Sequence, residues 1–273
     1  MDRTLYLNEN KEMTIVRDGP SLWIMMGNKA GRRVPARLIS RVIITGNVKL
    51  DTGVITLFTE NGKPVIFLNR KGDILATAFG MSNPNWRIKE RQTVLFTNNV
   101  YRPRVIDWIT ARRRNNQLQL LKDLSCKELN LLRRKGLREK DFKRIIATYL
   151  PEDENPVHVI KGTVTGLIHE LITDNLIASE LDLHIGVLHR RYNSGLVRDL
   201  SYIIETEAIR QTIQFFKLKR WEFYLDYVEG EWLLNAGGMK SIAVRFENQK
   251  KEIEEIIDNL VDDIFQLMRE LTI

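Results

Sequence analysis

The sequence contains a single cysteine, and it also lacks long apolar runs and several familiar ligand-binding motifs. Cys126 alone cannot support a disulfide framework, nor a zinc or iron–sulfur site built from several thiolates. No His-Glu-x-x-His zinc motif, Walker lysine loop or Gly-x-Gly-x-x-Gly fingerprint occurs. No run of about 18 apolar residues is present, and no signal-peptide core follows Met1, so we expect a cytoplasmic protein without a transmembrane helix.

The composition is that of a globular protein with an excess of positive charge. Of its 273 residues, 43% are apolar and 28% are charged, and this length is sufficient for two domains. Lysine and arginine number 42 against 35 aspartate and glutamate, which gives a formal net charge of +7. Polyanions are therefore the first class of partner to consider.

Two patterns of hydrophobicity divide the chain. Short apolar or β-branched segments, separated by turn residues, predict strands at residues 3–7, 13–17, 22–26, 32–35, 39–45, 65–68 and 73–77. Beyond Asn83-Pro84-Asn85, apolar residues recur at spacings of three and four, which predicts helices at residues 86–98, 102–121, 162–181, 205–218 and 247–271. We therefore expect an α+β protein with a small N-terminal β-rich domain over residues 1–82 and a larger, all-helical C-terminal domain over residues 86–273.

The segment between the strands at 39–45 and 65–68 is ambiguous from its pattern. Asp51 is suited to cap a helix that ends at Gly62. The apolar face of that helix would consist of Val54, Leu57 and Phe58. The threonine and isoleucine content of the segment favours a strand instead. Of the two, we predict the helix.

Basic residues are concentrated between positions 102 and 144, where 14 lysines and arginines stand against five acidic residues. Two tight clusters lie within this stretch, Arg112-Arg113-Arg114 and Arg133-Arg134-Lys135. Each lysine or arginine that contacts a nucleic-acid phosphate releases a condensed counterion, which favours binding. The clusters therefore predict a DNA-binding face, and the alternative is an ordinary solvated helical surface.

The segment at residues 155–205 carries the residues best suited to chemistry. His189 follows a glycine and a short apolar run, and a polar loop then leads to a helix that carries Asp199. A histidine and a carboxylate on two sides of such a loop can share one cation. Oxygen ligands suit Mg²⁺, whereas one imidazole shifts the preference toward Mn²⁺. The alternative is a buried histidine that only forms a hydrogen bond with a carbonyl group.

Motifs in both halves of the chain form a recognisable set. The C-terminal ones are Asn155-Pro156-Val157-His158, Glu180-Leu181-Asp182-Leu183, Gly186-Val187-Leu188-His189 and Asp199-Leu200. The N-terminal ones are Arg33-Val34-Pro35, Thr45-Gly46-Asn47-Val48 and Asn61-Gly62-Lys63-Pro64-Val65-Ile66-Phe67-Leu68. Together they resemble the CRISPR-associated spacer-acquisition endonuclease/integrase family over most of the chain. The combination of Thr-Gly-Asn-Val with Gly-x-Leu-His is more specific than any single motif.

This resemblance implies a metal-dependent DNA endonuclease and integrase that inserts spacers into a CRISPR array. It implies that His189 and Asp199 are catalytic and hold Mg²⁺ or Mn²⁺, with Glu128 as a third metal ligand. It also implies three partners: double-stranded DNA, a second copy bound through the β-rich domain, and a small second CRISPR adaptation subunit. Within that domain, Ile44 breaks the alternation that precedes it, as expected for a strand buried on both faces at a dimer contact.

The chain departs from the family pattern at its metal ligands. Three residues after Asp199, where the family has an acid, stands Tyr202. The family's upstream glutamate lies in a Glu-Gly-x-x-Ala-x-x-Tyr helix, which this chain lacks. Glu128 lies 61 residues before His189. Glu139 lies 50 residues before it, which is too close unless a segment was deleted.

Glu205 does not replace the missing acid in this interpretation. Its position six residues beyond Asp199 places it roughly 240° around a regular helix. Two alternatives to an active integrase therefore stay open. One is a catalytically degraded homologue that acts as a DNA-binding scaffold in the same complex, and the other is a basic helical RNA-binding scaffold unrelated to integration.

Overall fold

The computed structural model of the chain describes residues 3–27, 29–69, 72, 74–80, 86–228 and 230–271. The chain divides into two compact units, residues 1–83 and residues 84–273. The first unit is rich in strands and the second in helices, which confirms the predicted α+β fold class. Asp73, the first residue of one predicted strand, and the boundary Asn83-Pro84-Asn85 lie outside the described residues.

The first unit contains two sheets and one helix. Its elements are β1 (Arg3–Asn8), β2 (Met13–Asp18), β3 (Ser21–Met26), β4 (Lys29–Pro35), β5 (Ile39–Thr45), β6 (Lys49–Leu50), α1 (Thr52–Thr59), β7 (Val65–Leu68) and β8 (Ile74–Ala78). One sheet has the order β1-β5-β7-β8, in which β8 is antiparallel to its neighbour and the other pairs are parallel. The other sheet has the order β4-β3-β2-β6, in which the β2–β6 pair is parallel.

Apolar side chains from both sheets and from α1 form one core in this unit. Its buried members include Leu7, Ile15, Leu22, Val42, Ile44, Val54, Leu57, Phe58 and Val65. The carboxylate of Asp51 caps α1 by accepting a hydrogen bond from the backbone N–H of Gly53 at 3.2 Å. The ambiguous segment is therefore a helix, and its predicted apolar face is the buried one.

Strand β5 lies inside its sheet, and this position explains its continuous apolar run. β1 and β7 pair with its two edges, and Val42, Ile43 and Ile44 are all buried in the single chain. A parallel strand covered on both faces needs apolar residues at successive positions. The run was expected to indicate a dimer contact, but a single copy already buries it, so it provides no evidence for a dimer.

The second unit consists of helices and one short hairpin. Its elements are α2 (Trp86–Thr97), α3 (Arg102–Asp123), α4 (Leu129–Lys135), α5 (Glu139–Ala147), α6 (Glu154–Ala178), α7 (Gly195–Ile203), α8 (Glu205–Phe216), β9 (Leu225–Val228), β10 (Glu231–Leu234) and α9 (Ala236–Leu271). The antiparallel pair β9–β10 was not part of the predicted all-helical domain. Each strand has four residues, which is too short for a period of two to be distinguished from a helical pattern.

Helix α6 is the central element of this unit. Asp153 caps it by accepting a hydrogen bond from the backbone N–H of Asn155 at 3.0 Å, and the helix packs against α7, α8, α9 and β10. Because neighbours surround it, apolar residues are buried around most of its circumference. Even so, no helix within the described ranges is long and apolar enough to cross a membrane.

His169 on α6 makes the stability of the fold depend on pH. Burial, together with the positive charge of Arg198 and the proximity of His189, lowers the pKa of His169 from 6.5 to about 4. The unfolded chain therefore takes up a proton on this residue as the pH falls through 6.5, whereas the folded chain does so only near pH 4. The contribution of neutral His169 to the free energy of unfolding is thus fully present above pH 6.5, and it is lost progressively as the pH falls below 6.5.

We expect His169→Gln to flatten the decline of the free energy of unfolding between pH 6.5 and about 4. The slopes of the two proteins should differ by the equivalent of nearly one bound proton, which is about 1.4 kcal/mol per pH unit. His158→Gln is the matched control, because His158 is an exposed histidine on the same helix. Urea unfolding at several pH values measures both slopes, and an unchanged slope in His169→Gln would contradict this assignment.

Candidate functional site

The loop between α6 and α7 carries His189, and two glycines allow it to close on itself. A Cβ atom on Gly186 would lie 2.5 Å from the carbonyl carbon of Gly195, and one on Gly195 would lie 2.8 Å from the backbone nitrogen of Gly186. Contacts this short exclude any side chain at either position. The backbone N–H of Leu196 also donates to the carbonyl oxygen of Leu183 at 3.0 Å, which joins the start of α7 to the loop.

The carboxylate of Asp199 fixes the conformation of this loop. Asp199 is 1% exposed, and it accepts hydrogen bonds from the backbone N–H groups of Val187, Leu188 and His189. It also accepts one from Nδ1 of His189, at 2.7 Å. Hydrogen bonds to an ionised carboxylate are the stronger ones in proteins. The two oxygens of Asp199 are thereby engaged by the chain itself.

His189 presents its second ring nitrogen to its surroundings. An ionised carboxylate can only accept, so Nδ1 of His189 carries the proton and Nε2 is left as the available acceptor. The side chain is 30% exposed. The rings of Tyr192 and Tyr202 each lie 6.0 Å from the imidazole, centroid to centroid. The guanidinium carbon of Arg198 lies 4.3 Å from the centre of the Tyr192 ring. Two phenol rings therefore lie beside the imidazole, and a guanidinium lies against one of them.

Arg113 on α3 is the buried member of an ion-pair network beside Tyr202. Its side chain is 7% exposed, and its guanidinium donates to Glu139 at 2.8 Å and to Glu205 at 2.6 Å. It also donates to the backbone carbonyl of Tyr202 at 2.9 Å, and its Cζ lies 3.9 Å from the centre of the Tyr202 ring. Lys161 donates to the other carboxylate oxygen of Glu205. Two cations thus pair with two carboxylates, and of these four groups only Arg113 is buried.

Arg113 and Glu205 are both ionised at neutral pH. Burial lowers the pKa of Arg113, but the hydrogen bond and charge of Glu205 outweigh it, and the net pKa is raised. Burial raises the pKa of Glu205, but the charge and hydrogen bond of Lys161, and then those of Arg113, lower it by more. The pKa of Glu205 is therefore below its ordinary value. Arg113 and Glu205 therefore carry opposite charges at pH 7.

The structure brings His189 and Asp199 together, but Glu128 does not join them. Glu128 precedes α4 and forms an exposed ion pair with Arg144 at 2.8 Å. Among the described residues, no three histidine, cysteine, aspartate or glutamate side chains converge as metal ligands would. Asp199 is occupied by backbone amides, and Tyr202 brings a phenol where a carboxylate would be needed. The residues present do not fit a bound Mg²⁺ or Mn²⁺ ion.

The sequence interpretation missed the network because it treated Glu205 as part of one regular helix. In the structure α7 ends at Ile203 and α8 begins at Glu205, and the break at Ile204 redirects the chain. Glu139 was set aside because it lies only 50 residues before His189. Its position at the start of α5, opposite Arg113, is a tertiary contact for which the sequence carried no local signal.

The two predicted DNA-binding clusters differ in their accessibility. Arg113 is buried in its network, so its assignment to a phosphate-binding face is wrong for steric and electrostatic reasons. Arg112 is half exposed and pairs with Asp263 at 2.6 Å, whereas Arg114 is exposed. Arg133-Arg134-Lys135 forms the exposed last turn of α4, and within the described part of the chain none of the three has an ion-pair partner. This second cluster is the one available to a polyanion.

We expect Asp199→Ala to lower the free energy of unfolding by about 3 kcal/mol or more, because several buried N–H groups lose their acceptor. Asp107→Ala, at an exposed position on α3, is the control and should change stability by less than about 0.5 kcal/mol. Denaturant unfolding measures both, and hydrogen exchange at Val187 and His189 reports release of the loop. Retained protection of these amides in Asp199→Ala would contradict the role given to this carboxylate.

Comparisons with solved structures show which proteins share this fold. A Cas1 protein from Thermotoga maritima matches with a TM-score of 0.83 and 14% identity, over 99% of this chain and 97% of that chain. A casposase bound to integration product matches with a TM-score of 0.79 and 17% identity, over 99% and 91%. A Cas6-RT-Cas1–Cas2 complex matches with a TM-score of 0.73 and 13% identity, over 97% of this chain and 35% of that chain. At these identities the likeness shows the fold alone.

Sequence comparison shows the family. Among curated proteins, none gives a significant match to this chain. The family model described as CRISPR associated protein Cas1 matches residues 5–149, which is more than half of the sequence. That match supports the resemblance inferred from the motifs, and the chain belongs to the Cas1 family of CRISPR-associated proteins.

Proposed function

We propose that the chain is a DNA-binding protein of CRISPR adaptation, the process that inserts new spacers into a CRISPR array. Membership of the Cas1 family supports this role. Similar structures include a casposase bound to integration product and a complex that contains both Cas1 and Cas2. We infer that double-stranded DNA and a small Cas2-type subunit are the partners of this chain as well.

The observation that carries this proposal is the chemistry around His189. The loop also bears Arg190 and Arg191, both exposed, and the phenol rings of Tyr192 and Tyr202 are partly exposed beside the imidazole. Phenol hydroxyls and guanidinium groups donate hydrogen bonds to phosphate oxygens. A site with these groups and few carboxylates suits the DNA backbone better than a hydrated divalent ion. We therefore favour a scaffold that holds DNA over a metal-dependent nuclease.

A metal-dependent endonuclease and integrase is the second candidate, and one observation favours it. A partly exposed imidazole whose Nδ1 is held by a buried carboxylate resembles the arrangement of a catalytic base. In such an enzyme a DNA 3′-hydroxyl attacks a phosphodiester of the repeat, with His189 and Asp199 as site residues. A competent metal site would need carboxylates in addition to that of Asp199 beside His189.

We further propose that the chain forms a homodimer through the β-rich unit. Among the described residues, strand β8 is the edge of its sheet, and no further strand pairs with its outer side. Leu75 on this strand is 68% exposed, which is unusual for a large apolar residue of a strand. An exposed edge with an apolar side chain is suited to association with another chain.

We expect the cluster Arg133-Arg134-Lys135 to contribute to salt-dependent DNA binding. If all three contact phosphates, the slope of log affinity against log salt should become less steep by about 2.7 when all three are changed to glutamine. Lys217, Lys219 and Lys240 are exposed lysines elsewhere in the same unit, and their triple change to glutamine is the matched control. Fluorescence anisotropy with branched duplex DNA at several salt concentrations measures both slopes.

Equal slopes for the two triple variants would show that Arg133-Arg134-Lys135 is an ordinary solvated surface with no special role in DNA binding. The same titration with an RNA hairpin tests the remaining alternative. Preference for branched DNA at matched salt supports the adaptation role, and a clear preference for the hairpin would contradict it.

We expect the wild-type protein to show no integration above the level of His189→Ala in magnesium, because the centre lacks a set of carboxylate ligands. Mn²⁺ tolerates an imidazole ligand and irregular geometry better than Mg²⁺ does. The same assay in Mn²⁺ is therefore the more stringent test of the absence of integration. The measurement is joining of a labelled DNA 3′ end to a CRISPR repeat, with DNA binding checked in parallel. Robust integration by the wild type that His189→Ala abolishes would establish the second candidate.

A further inference from the structure

The ion-pair network around Arg113 and the His189 centre meet at one side chain, that of Tyr202. One face of the Tyr202 ring receives the guanidinium of Arg113 at 3.9 Å, and the ring also contacts the imidazole of His189. Whatever occupies position 202 therefore lies beside both groups. Glu139, which Arg113 holds at 2.8 Å, is thus separated from His189 by a cation and a phenol.

The guanidinium satisfies groups that would otherwise attract a cation from solution. It neutralises Glu139, whose second oxygen accepts a hydrogen bond from Gln117 at 3.0 Å, and it shares Glu205 with Lys161. Its planar donors are directed at both carboxylates and at the carbonyl of Tyr202. Because arginine stays protonated at any pH the fold survives, this charge is permanent. A divalent ion at the same place would meet electrostatic repulsion as well as steric exclusion.

We propose that the guanidinium of Arg113 replaces a divalent ion beside His189, and that the centre is consequently independent of metal. Two features of the chain produce this state together. Arg113 supplies the positive charge that the carboxylates require, and Tyr202 offers a neutral phenol toward the imidazole instead of a carboxylate. This inference goes beyond DNA binding, since it concerns which cation the site accepts.

The proposal predicts that two substitutions together create a metal site. Tyr202→Asp supplies a carboxylate beside His189, and Arg113→Gln removes the resident cation while keeping a shorter, uncharged polar side chain. In the double variant, the new carboxylate lies beside His189, and Glu139 no longer has its guanidinium partner. Tyr202→Asp alone should not suffice, because Arg113 would pair with the new carboxylate.

The test is a titration with Mn²⁺ alone. Binding is monitored by the loss of the electron paramagnetic resonance signal of the free ion. We expect the double variant to bind one Mn²⁺ per chain at least about tenfold more tightly than the wild type or Tyr202→Asp. His189→Ala in the double-variant background should reverse that gain. Arg113→Lys combined with Tyr202→Asp is the matched control, because it adds the same carboxylate and retains a cation.

Two results would overturn the proposal. One is tight Mn²⁺ binding by the wild type or by Tyr202→Asp that His189→Ala abolishes. The other is failure of the double variant to bind Mn²⁺ although circular dichroism shows it folded. If Arg113→Gln prevents folding, Arg113→Met, which keeps the aliphatic stem, takes its place in the double variant, and the same gain in Mn²⁺ affinity is expected. DNA affinity is measured separately, so a failed metal prediction is distinguishable from a failed DNA-binding role.

Discussion

The hydrogen bonds that converge on the carboxylate of Asp199 are the interaction on which this functional centre depends. A loop that lies between two buried helices has backbone N–H groups that need acceptors, and the carboxylate supplies them at Val187, Leu188 and His189. The same group orients the imidazole of His189. The hydrogen bonds of Asp199 therefore maintain the geometry of the His189 loop. Because its two oxygens already accept these bonds, Asp199 has little capacity left for an external ligand.

Electrostatic balance within the network around Arg113 offsets the cost of burying a charge beside the centre. A buried guanidinium is costly unless it is paired, and Arg113 pairs with Glu139 and Glu205, while Lys161 from a further helix also pairs with Glu205. Such a network also joins α3, α5, α6 and α8 around the centre. In a protein with a basic surface, these internal charges cancel while the exposed arginines stay available to a polyanion.

Prediction from sequence succeeded where local rules were sufficient. The helix after Asp51 followed from a side-chain cap and an apolar face, and both are local properties of consecutive residues. The run in β5 was predicted correctly as buried, but its cause was assigned to a dimer when neighbouring strands of the same chain already cover it. Periodicity reports that a residue is buried, and it does not report which partner buries it.

The sequence by itself determined the fold class, the family and the pairing of His189 with Asp199, because each rests on motifs or spacings within short segments. Only the tertiary structure decided the character of the centre. Arg113, Glu139 and Glu205 lie on three separate helices, and Arg113 belongs to a basic cluster whose composition indicated an exposed surface. Their meeting depends on how α3, α5 and α8 pack, and a long-range contact between charged residues leaves no periodic signal in a single sequence.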